Sequence, residues 1–227
     1  AMCVFEQIYF ARPDSILNGE LAYETRQRLG AEVYREHPVD ADIVVGIPDS
    51  STPHAVGLAA AAKIPYAEAI IRNRYVGRTF IEPDQNARAQ GVQTKFNVMR
   101  GVVEGKRLLV VDDSIVRSTT ITRVINMLRH AGAAEVHVRV ASPPIKSTCH
   151  FGVDMATLSE LIAANMELDE ITKYIGADSL AYLSVDGLLR AVRAPKNSYC
   201  TGCFTGNYPI PVQLEMNKMG FETITAD

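Results

Sequence analysis

The 227-residue chain carries 23 Lys and Arg against 26 Asp and Glu, a formal net charge of −3, so its balance gives no reason to expect a nucleic-acid partner. Hydrophobic residues make up 47% and charged residues 22%, which suits an ordinary globular protein able to bury a substantial core. No apolar run approaches the length of a membrane span and no signal-peptide pattern opens the sequence, so a membrane partner is not expected.

Residues 3–10, Cys3-Val4-Phe5-Glu6-Gln7-Ile8-Tyr9-Phe10, read as strand from the outset, as the interior of a longer protein would. Over residues 17–36 the positions Leu21, Thr25, Leu29 and Val33 recur every fourth residue, predicting one helix face, and Pro38 ends it. Residues 42–47 form a short apolar strand. Pro48-Asp49-Ser50-Ser51-Thr52-Pro53 then turns into an alanine-rich helix over 54–63. That turn is either an ordinary N-cap or a cradle for an anion at a helix start. Residues 66–71 predict another strand. The irregular segment 72–97 follows, with Arg72, Arg74, Arg78, Arg88 and Lys95. A segment of this kind is a solvated loop or a functional lid.

Residues 108–120 organise the chain: Leu108-Leu109-Val110-Val111-Asp112-Asp113-Ser114-Ile115-Val116-Arg117-Ser118-Thr119-Thr120. Four apolar residues predict a buried parallel strand. Two carboxylates close it, at the end of the strand where open α/β sheets bind ligands. A hydroxyl-rich loop with one arginine leads into a helix starting at Thr119 or Thr120, a natural anion site. The acid pair suits ribose hydroxyls or Mg²⁺ and the loop suits a phosphate. A two-Asp turn with a plain N-cap is the competing reading. The helix runs to His130 with Gly132 as its stop, and a strand over 135–141 follows. Strands alternating with helices predict an α/β fold with a doubly wound, mostly parallel sheet. Past Ser142-Pro143-Pro144 the pattern loosens into short helices over 158–165, 168–175 and 185–192, a strand over 180–183 and a turn-rich tail.

The four cysteines are Cys3, Cys149, Cys200 and Cys203. Cys200-Thr201-Gly202-Cys203 has the spacing that lets two thiolates reach one metal, and four thiolates suit zinc or an iron–sulfur cluster. Free thiols with a chance C-x-x-C remain open from spacing alone. A redox C-x-x-C should follow a strand and open a helix. Gly206, Pro209 and Pro211 argue against that context here.

The run from Val110 to Thr120 resembles the phosphoribosyl-pyrophosphate-binding motif of type I phosphoribosyltransferases. Four further segments narrow the resemblance to the glutamine phosphoribosylpyrophosphate amidotransferases. They are Cys3-Val4-Phe5-Glu6-Gln7-Ile8-Tyr9-Phe10-Ala11-Arg12-Pro13-Asp14-Ser15, Ile47-Pro48-Asp49-Ser50-Ser51, Asn73-Arg74-Tyr75-Val76-Gly77-Arg78-Thr79-Phe80-Ile81 and Ser142-Pro143-Pro144. The likeness covers nearly the whole chain apart from its final stretch.

That resemblance implies a type I phosphoribosyltransferase fold over 1–227, with 142–227 as a peripheral helical and cluster-binding extension and without the family's amino-terminal glutaminase domain. It implies a glycosyltransferase that joins ammonia to C1 of phosphoribosyl pyrophosphate (PRPP), giving phosphoribosylamine and pyrophosphate at the first step of purine biosynthesis. A base-specific phosphoribosyltransferase or a non-catalytic nucleotide sensor is the alternative. Carried over residue by residue, Asp112, Asp113, Tyr75 and Arg78 are catalytic, and Ser50, Asp112 and Asp113 hold Mg²⁺. Asp49, Ser50, Ser51, Thr52, Ser114, Arg117, Ser118, Thr119 and Thr120 bind PRPP. Arg72, Arg74 and Ser114 contact an inhibitory purine nucleotide. Cys3, Cys149, Cys200 and Cys203 fall on the positions of a structural 4Fe-4S cluster, with zinc as runner-up. The family forms homo-oligomers, and its iron–sulfur members imply a cytoplasmic location, or a plastid for a plant protein.

Overall fold

The computed structural model of the chain describes residues 1–73, 96–155, 157–193 and 198–211. It opens with β1 (Met2–Cys3) and then a wide helical turn over Glu6–Phe10, where continuous strand was expected. Val4, Phe5 and Ile8 are the buried hydrophobic residues of this segment. Their spacing of one and four is helical rather than alternating, which short apolar runs leave ambiguous. The strands β2 (Ile16–Leu17) and β3 (Glu20–Leu21) pair antiparallel around Asn18-Gly19, both at positive φ. Asn-Gly is the strongest two-residue hairpin signal, and it delays α1 to Ala22–Glu36 from the predicted residue 17.

Next come β4 (Ile43–Gly46) and α2 (Thr52–Ala62), the latter ended by Lys63 in the left-handed region. The predicted strand 66–71 reduces to one bridge, Val44 to Tyr66, followed by β5 (Ile70–Arg72). β5 pairs antiparallel with β6 (Phe96–Val98), and α3 (Arg100–Val103) leads into β7 (Arg107–Asp112). α4 (Thr119–His130) and β8 (Glu135–Val140) fall within a residue of expectation. The predicted helix 158–165 is broken. Leu161 is extended and buried between a 3₁₀ turn, Leu158–Glu160, and α5 (Ile162–Asn165). α6 (Leu168–Ile175), β9 (Ser179–Tyr182) and α7 (Val185–Val192) complete the main body. The chain then returns through β10 (Tyr199–Cys200) and α8 (Gly202–Thr205).

The central sheet has the order β4-β7-β8-β9, every pair parallel. Its side chains divide by parity. Val44, Leu109 and Val111 pack with Leu29 and Val33 of α1, Leu58 of α2 and Leu188 of α7. Ile43, Val45, Leu108 and Val110 pack with Ile121, Val124 and Leu128 of α4 and Ile171 and Ile175 of α6. Helices on both faces make the sheet doubly wound, as the alternation predicts. The register aligns Gly46 with Val111, Asp112 with Val140, and Val140 with Tyr182. The loops leaving β4, β7 and β8 therefore emerge together at one edge, where ligands bind in sheets of this kind. At the periphery β1 pairs in parallel with β10, bringing Cys3 beside Cys200.

α1 crosses α2 at unusually short range. A Cβ on Gly30 would lie 1.8 Å from the His54 carbonyl oxygen, and one on Gly57 would lie 2.0 Å from that of Gln27. Backbone against backbone cannot yield as a flexible side chain can. Gly30→Ala is expected to destabilise the fold by at least about 3 kcal/mol, the upper part of the range for overpacking. Urea unfolding measures it, and a loss near zero would mean the helices can part freely.

Candidate active site and cysteine pocket

The acid pair ends β7 almost out of water, Asp112 8% and Asp113 4% exposed. Ser51, fully buried, stitches it to the start of α2. Its hydroxyl donates to Asp112 Oδ1 at 2.9 Å and accepts the Asp113 N–H at 3.0 Å. The Asp113 N–H also reaches Asp112 Oδ1 at 3.0 Å, and Ser114 Oγ donates to Asp113 Oδ1 at 2.8 Å. Burial, and then the neighbouring Asp113, pushes the Asp112 carboxyl well above the usual carboxylate range. Burial also raises Asp113, against the pull of the Ser50, Ser114 and Ser51 hydroxyls and the Arg26 charge. Two carboxylates held this way are poor at staying charged unless a cation or a set of hydroxyl donors meets them.

They open onto a cavity of about 910 Å³. Its lining includes Pro48, Asp49, Ser50 and Arg72 from the turn after β4 and from β5, and Ser114, Arg117, Ser118, Thr119 and Thr120 from the loop after β7. Arg72 Nη1 donates to Asp49 Oδ2 at 3.2 Å, tying β5 to the turn after β4. Ser118 takes a left-handed φ of 54°, and no side chain caps α4. The plain N-cap of the competing reading is therefore absent, and although the Thr119 N–H donates to the Arg117 carbonyl at 2.6 Å, those of Thr120 and Ile121 stay available for an anion. The structure thus brings together most of the predicted phosphate and ribose residues.

Three of them stand elsewhere than expected. Ser51 lies behind the acid pair rather than on the cavity surface, because its hydroxyl is consumed by the two carboxylates. Thr52 also misses the cavity, since its hydroxyl pairs with the Tyr66 phenol. Arg117 lines the cavity, but its guanidinium is drawn to Glu160 at 2.8 Å and Asp154 at 3.6 Å, so it braces the loop rather than offering a free cation. Tyr75, Arg74, Arg78, Arg88 and Lys95 lie outside the described residues. What the sequence concealed is an aromatic wall. Phe5, Tyr9, Phe10 and Phe151 line the same cavity, with Tyr9 and Phe10 half exposed. The helical turn at Glu6–Phe10, where strand is expected, puts Phe5, Tyr9 and Phe10 there.

The four cysteines line one smaller cavity of about 350 Å³, otherwise walled by Phe5, Phe151, Val153, Met155, Tyr208 and Ile210. All four are free thiols. Burial pushes the Cys203 thiol up to about 12, helped by the nearness of Cys3, Cys200 and Cys149. Such thiols will not ionise beside one another without a cation. The Phe151 N–H donates to Cys149 Sγ at 3.4 Å. Tyr208 lies flat against Gly202, where a Cβ would come within 2.4 Å of its ring, and its hydroxyl donates to the Thr148 carbonyl. Contrary to expectation, the C-x-x-C does follow a strand and open a helix. β10 has two residues, however, and α8 a single turn closed by Gly206, too short to lend much dipole to a thiolate. Among the described residues, no three His, Cys, Asp or Glu side chains are gathered closely enough to hold a metal ion as they stand. The two cavities share Cys3, Phe5, Phe151, Val153 and Met155 as a common partition.

Comparison with known proteins agrees with this geometry. The chain is 50% identical over 227 residues to an amidophosphoribosyltransferase of Synechococcus elongatus, covering 99% of this chain and 46% of that protein. It is 47% identical to a chloroplastic amidophosphoribosyltransferase of Arabidopsis thaliana, covering 98% and 39%. Among solved structures, the glutamine PRPP amidotransferase of B. subtilis, complexed with ADP and GMP, superimposes with a TM-score of 0.84 at 51% identity. That match covers 92% of this chain and 47% of that one. The chain spans about half the length of the curated relatives it matches. The phosphoribosyl transferase domain family matches residues 13–144, more than half of the sequence. With its doubly wound parallel sheet, its acid pair and its uncapped helix start on one cavity, the chain belongs to the phosphoribosyl transferase domain family.

Proposed function

We propose that the chain transfers the phosphoribosyl group of PRPP to ammonia, releasing pyrophosphate and forming phosphoribosylamine, the opening step of purine synthesis. The observation that carries this reading is one cavity lined by an acid pair and by two separate cradles, Asp49–Ser50 with Arg72 and Ser114–Thr120. A sugar carrying a phosphate at one end and a pyrophosphate at the other needs such spacing. The half-length match to amidophosphoribosyltransferases supports ammonia, rather than a purine or pyrimidine base, as acceptor.

The chemistry asks for little acid–base work. C1 gains positive character as pyrophosphate departs, and ammonia is already a nucleophile. The protein has to hold two anions still, face the sugar with negative charge and keep water out. Asp112 and Asp113 accept from the ribose hydroxyls. The Thr120 hydroxyl and the N–H groups of Thr120 and Ile121 take the 5′-phosphate, joined by the hydroxyls of Ser118 and Thr119 as these turn from the Arg117 carbonyl they meet at 2.6 and 3.2 Å. Asp49, Ser50 and Arg72 face the pyrophosphate. The aromatic wall of Phe5, Tyr9, Phe10 and Phe151 excludes water from one side, and Tyr75, Arg74 and Arg78 are placed in the lid by sequence. Mg²⁺ suits Asp112, Asp113 and Ser50, because that ion is usually held by one or two carboxylates plus substrate phosphates rather than by a full protein cage. It would neutralise the leaving pyrophosphate. Arg72, Arg74 and Ser114 serve an inhibitory purine nucleotide.

The cysteine pocket suits a 4Fe-4S cluster. It supplies four sulfurs and no competing oxygen ligand, has a largely apolar lining, and includes an N–H aimed at sulfur. Such a cluster would join the start of the chain to its end, a structural duty. Zinc is the alternative, and iron with acid-labile sulfide on freshly made protein decides between them. The glutaminase domain and a homo-oligomeric assembly belong to the same proposal, with a cytoplasmic or plastid location.

The test supplies PRPP, Mg²⁺ and either ammonia or glutamine to the chain and follows pyrophosphate. Ammonia is expected to support release and glutamine alone is not. Equal rates with glutamine, or release only with a nucleobase, would sink the reading.

A further inference from the structure

Arg26 is a buried charge with no carboxylate at ion-pair distance among the described residues, and it is 2% exposed. Its guanidinium spends its donors on backbone instead. Nε donates to the Gln7 carbonyl at 3.0 Å, and Nη2 to the carbonyls of Ala11 at 2.7 Å and Glu6 at 3.4 Å. Those three oxygens belong to the helical turn that carries Phe5, Glu6, Tyr9 and Phe10 into the substrate cavity. A buried guanidinium is costly unless its hydrogens are matched and a negative charge stands near.

That negative charge follows from topology. Arg26 lies one turn before Gly30, on the face of α1 that meets the first turn of α2 at His54. Asp113 continues the parity of Leu109 and Val111, which point to the α1 and α2 side of the sheet. Arg26 therefore sits beneath the acid pair and beside the turn at once. His54, fully buried nearby, is kept neutral, its imidazole driven down to about 3 by burial and by the Arg26 charge.

We infer that Arg26 is a positioning residue for phosphoribosyl transfer, fixing the aromatic wall of the cavity against the floor that bears Asp112 and Asp113. This rests on the PRPP reading above and adds to it a residue that no sequence motif marks. The planar fork is essential, because a lysine ammonium on a flexible stem cannot reproduce donors on two nitrogens to three separate carbonyls.

Arg26→Met and Arg26→Lys are compared with the unaltered protein by calorimetry with PRPP and Mg²⁺ and by hydrogen exchange of residues 5–12. A positioning role raises Kd at least tenfold in Arg26→Met while the stoichiometry of the folded protein holds, and it speeds exchange in residues 5–12 ahead of the central sheet. Arg26→Lys restores the charge without the fork and shows the same exchange, with a smaller rise in Kd. It carries the test if Arg26→Met does not fold. A residue that only supports folding would lower the stoichiometry and leave Kd alone, and that result overturns the inference. So does a Kd within twofold with unchanged exchange. Failure of the unaltered protein to bind PRPP would overturn the functional reading itself, and with it the role assigned to Arg26.

Discussion

Replacing Asp112 and Asp113 together with Asn is expected to remove Mg²⁺-dependent PRPP binding while leaving the fold as stable or more so. The two effects have one cause. The carboxylates are buried side by side, and both are raised above the ordinary carboxylate range by desolvation, with mutual repulsion adding to it at Asp112. Asn matches Asp in shape and keeps a carbonyl acceptor for Ser51 Oγ, so the hydrogen bonds at 2.9 and 3.0 Å can persist. What disappears is charge, and Mg²⁺ and two ribose hydroxyls are the partners that need it. Loss of two ionic acceptors should weaken PRPP binding by about 100-fold or more, read by calorimetry at saturating Mg²⁺. An affinity unchanged in the double variant would remove the acid pair from the mechanism.

The stability side has a sign that can be checked. A carboxyl whose folded pKa is raised binds protons more tightly folded than unfolded. Stability therefore falls as pH rises from the unfolded value, about 3.9, through the raised folded value. The Asn variant lacks that loss. Its Tm should exceed that of the unaltered protein at pH 8, and the gap should close as pH is lowered toward 4. A gap that widens on acidification would mean the pair is ionised and stabilising in the folded state.

How much of this was readable beforehand differs by element. β4, β7, β8, α4, α6 and α7 emerge from hydrophobic pattern because each buries a full face, and burial is what pattern reports. The acid pair and its loop were legible for the same reason, being local to the end of one strong strand. Residues 3–10 depart from the expected strand because a run with Val4, Phe5 and Ile8 inside suits strand and helical turn alike. What resolves it is Arg26, nineteen positions from Gln7, gathering carbonyls that would otherwise seek a strand partner. The Asn18-Gly19 hairpin carried a clear local signal that the four-residue recurrence over α1 overrode. The resemblance implies PRPP roles for Arg117 and Thr52, yet Glu160 and Tyr66 hold them. Partners brought together by the fold are invisible to a reading along the chain.

The same blindness to long-range contacts makes Cys200 and Cys203 the sharpest remaining test. Changing both to Ser is expected to prevent iron incorporation and to loosen the two ends of the chain together. β1 and β10 are two residues each, too short to hold the termini by strand pairing alone. The cluster proposed for the four sulfurs would then supply much of that closure, because binding to a site that exists only in the folded chain is folding free energy. A loss of several kcal/mol, roughly 10 °C in Tm for a domain of this size, is expected against the loaded protein. The apo form of the unaltered protein should fall by a similar amount. PRPP binding should weaken as well, since Cys3, Phe5, Phe151, Val153 and Met155 wall both cavities and cannot relax on one side only. Calorimetric scans of loaded, apo and double-Ser protein measure the first effect and PRPP titration the second. If the double-Ser protein melts with the loaded form, the pocket closes by its own packing of Tyr208 on Gly202, and the cysteines carry no structural load.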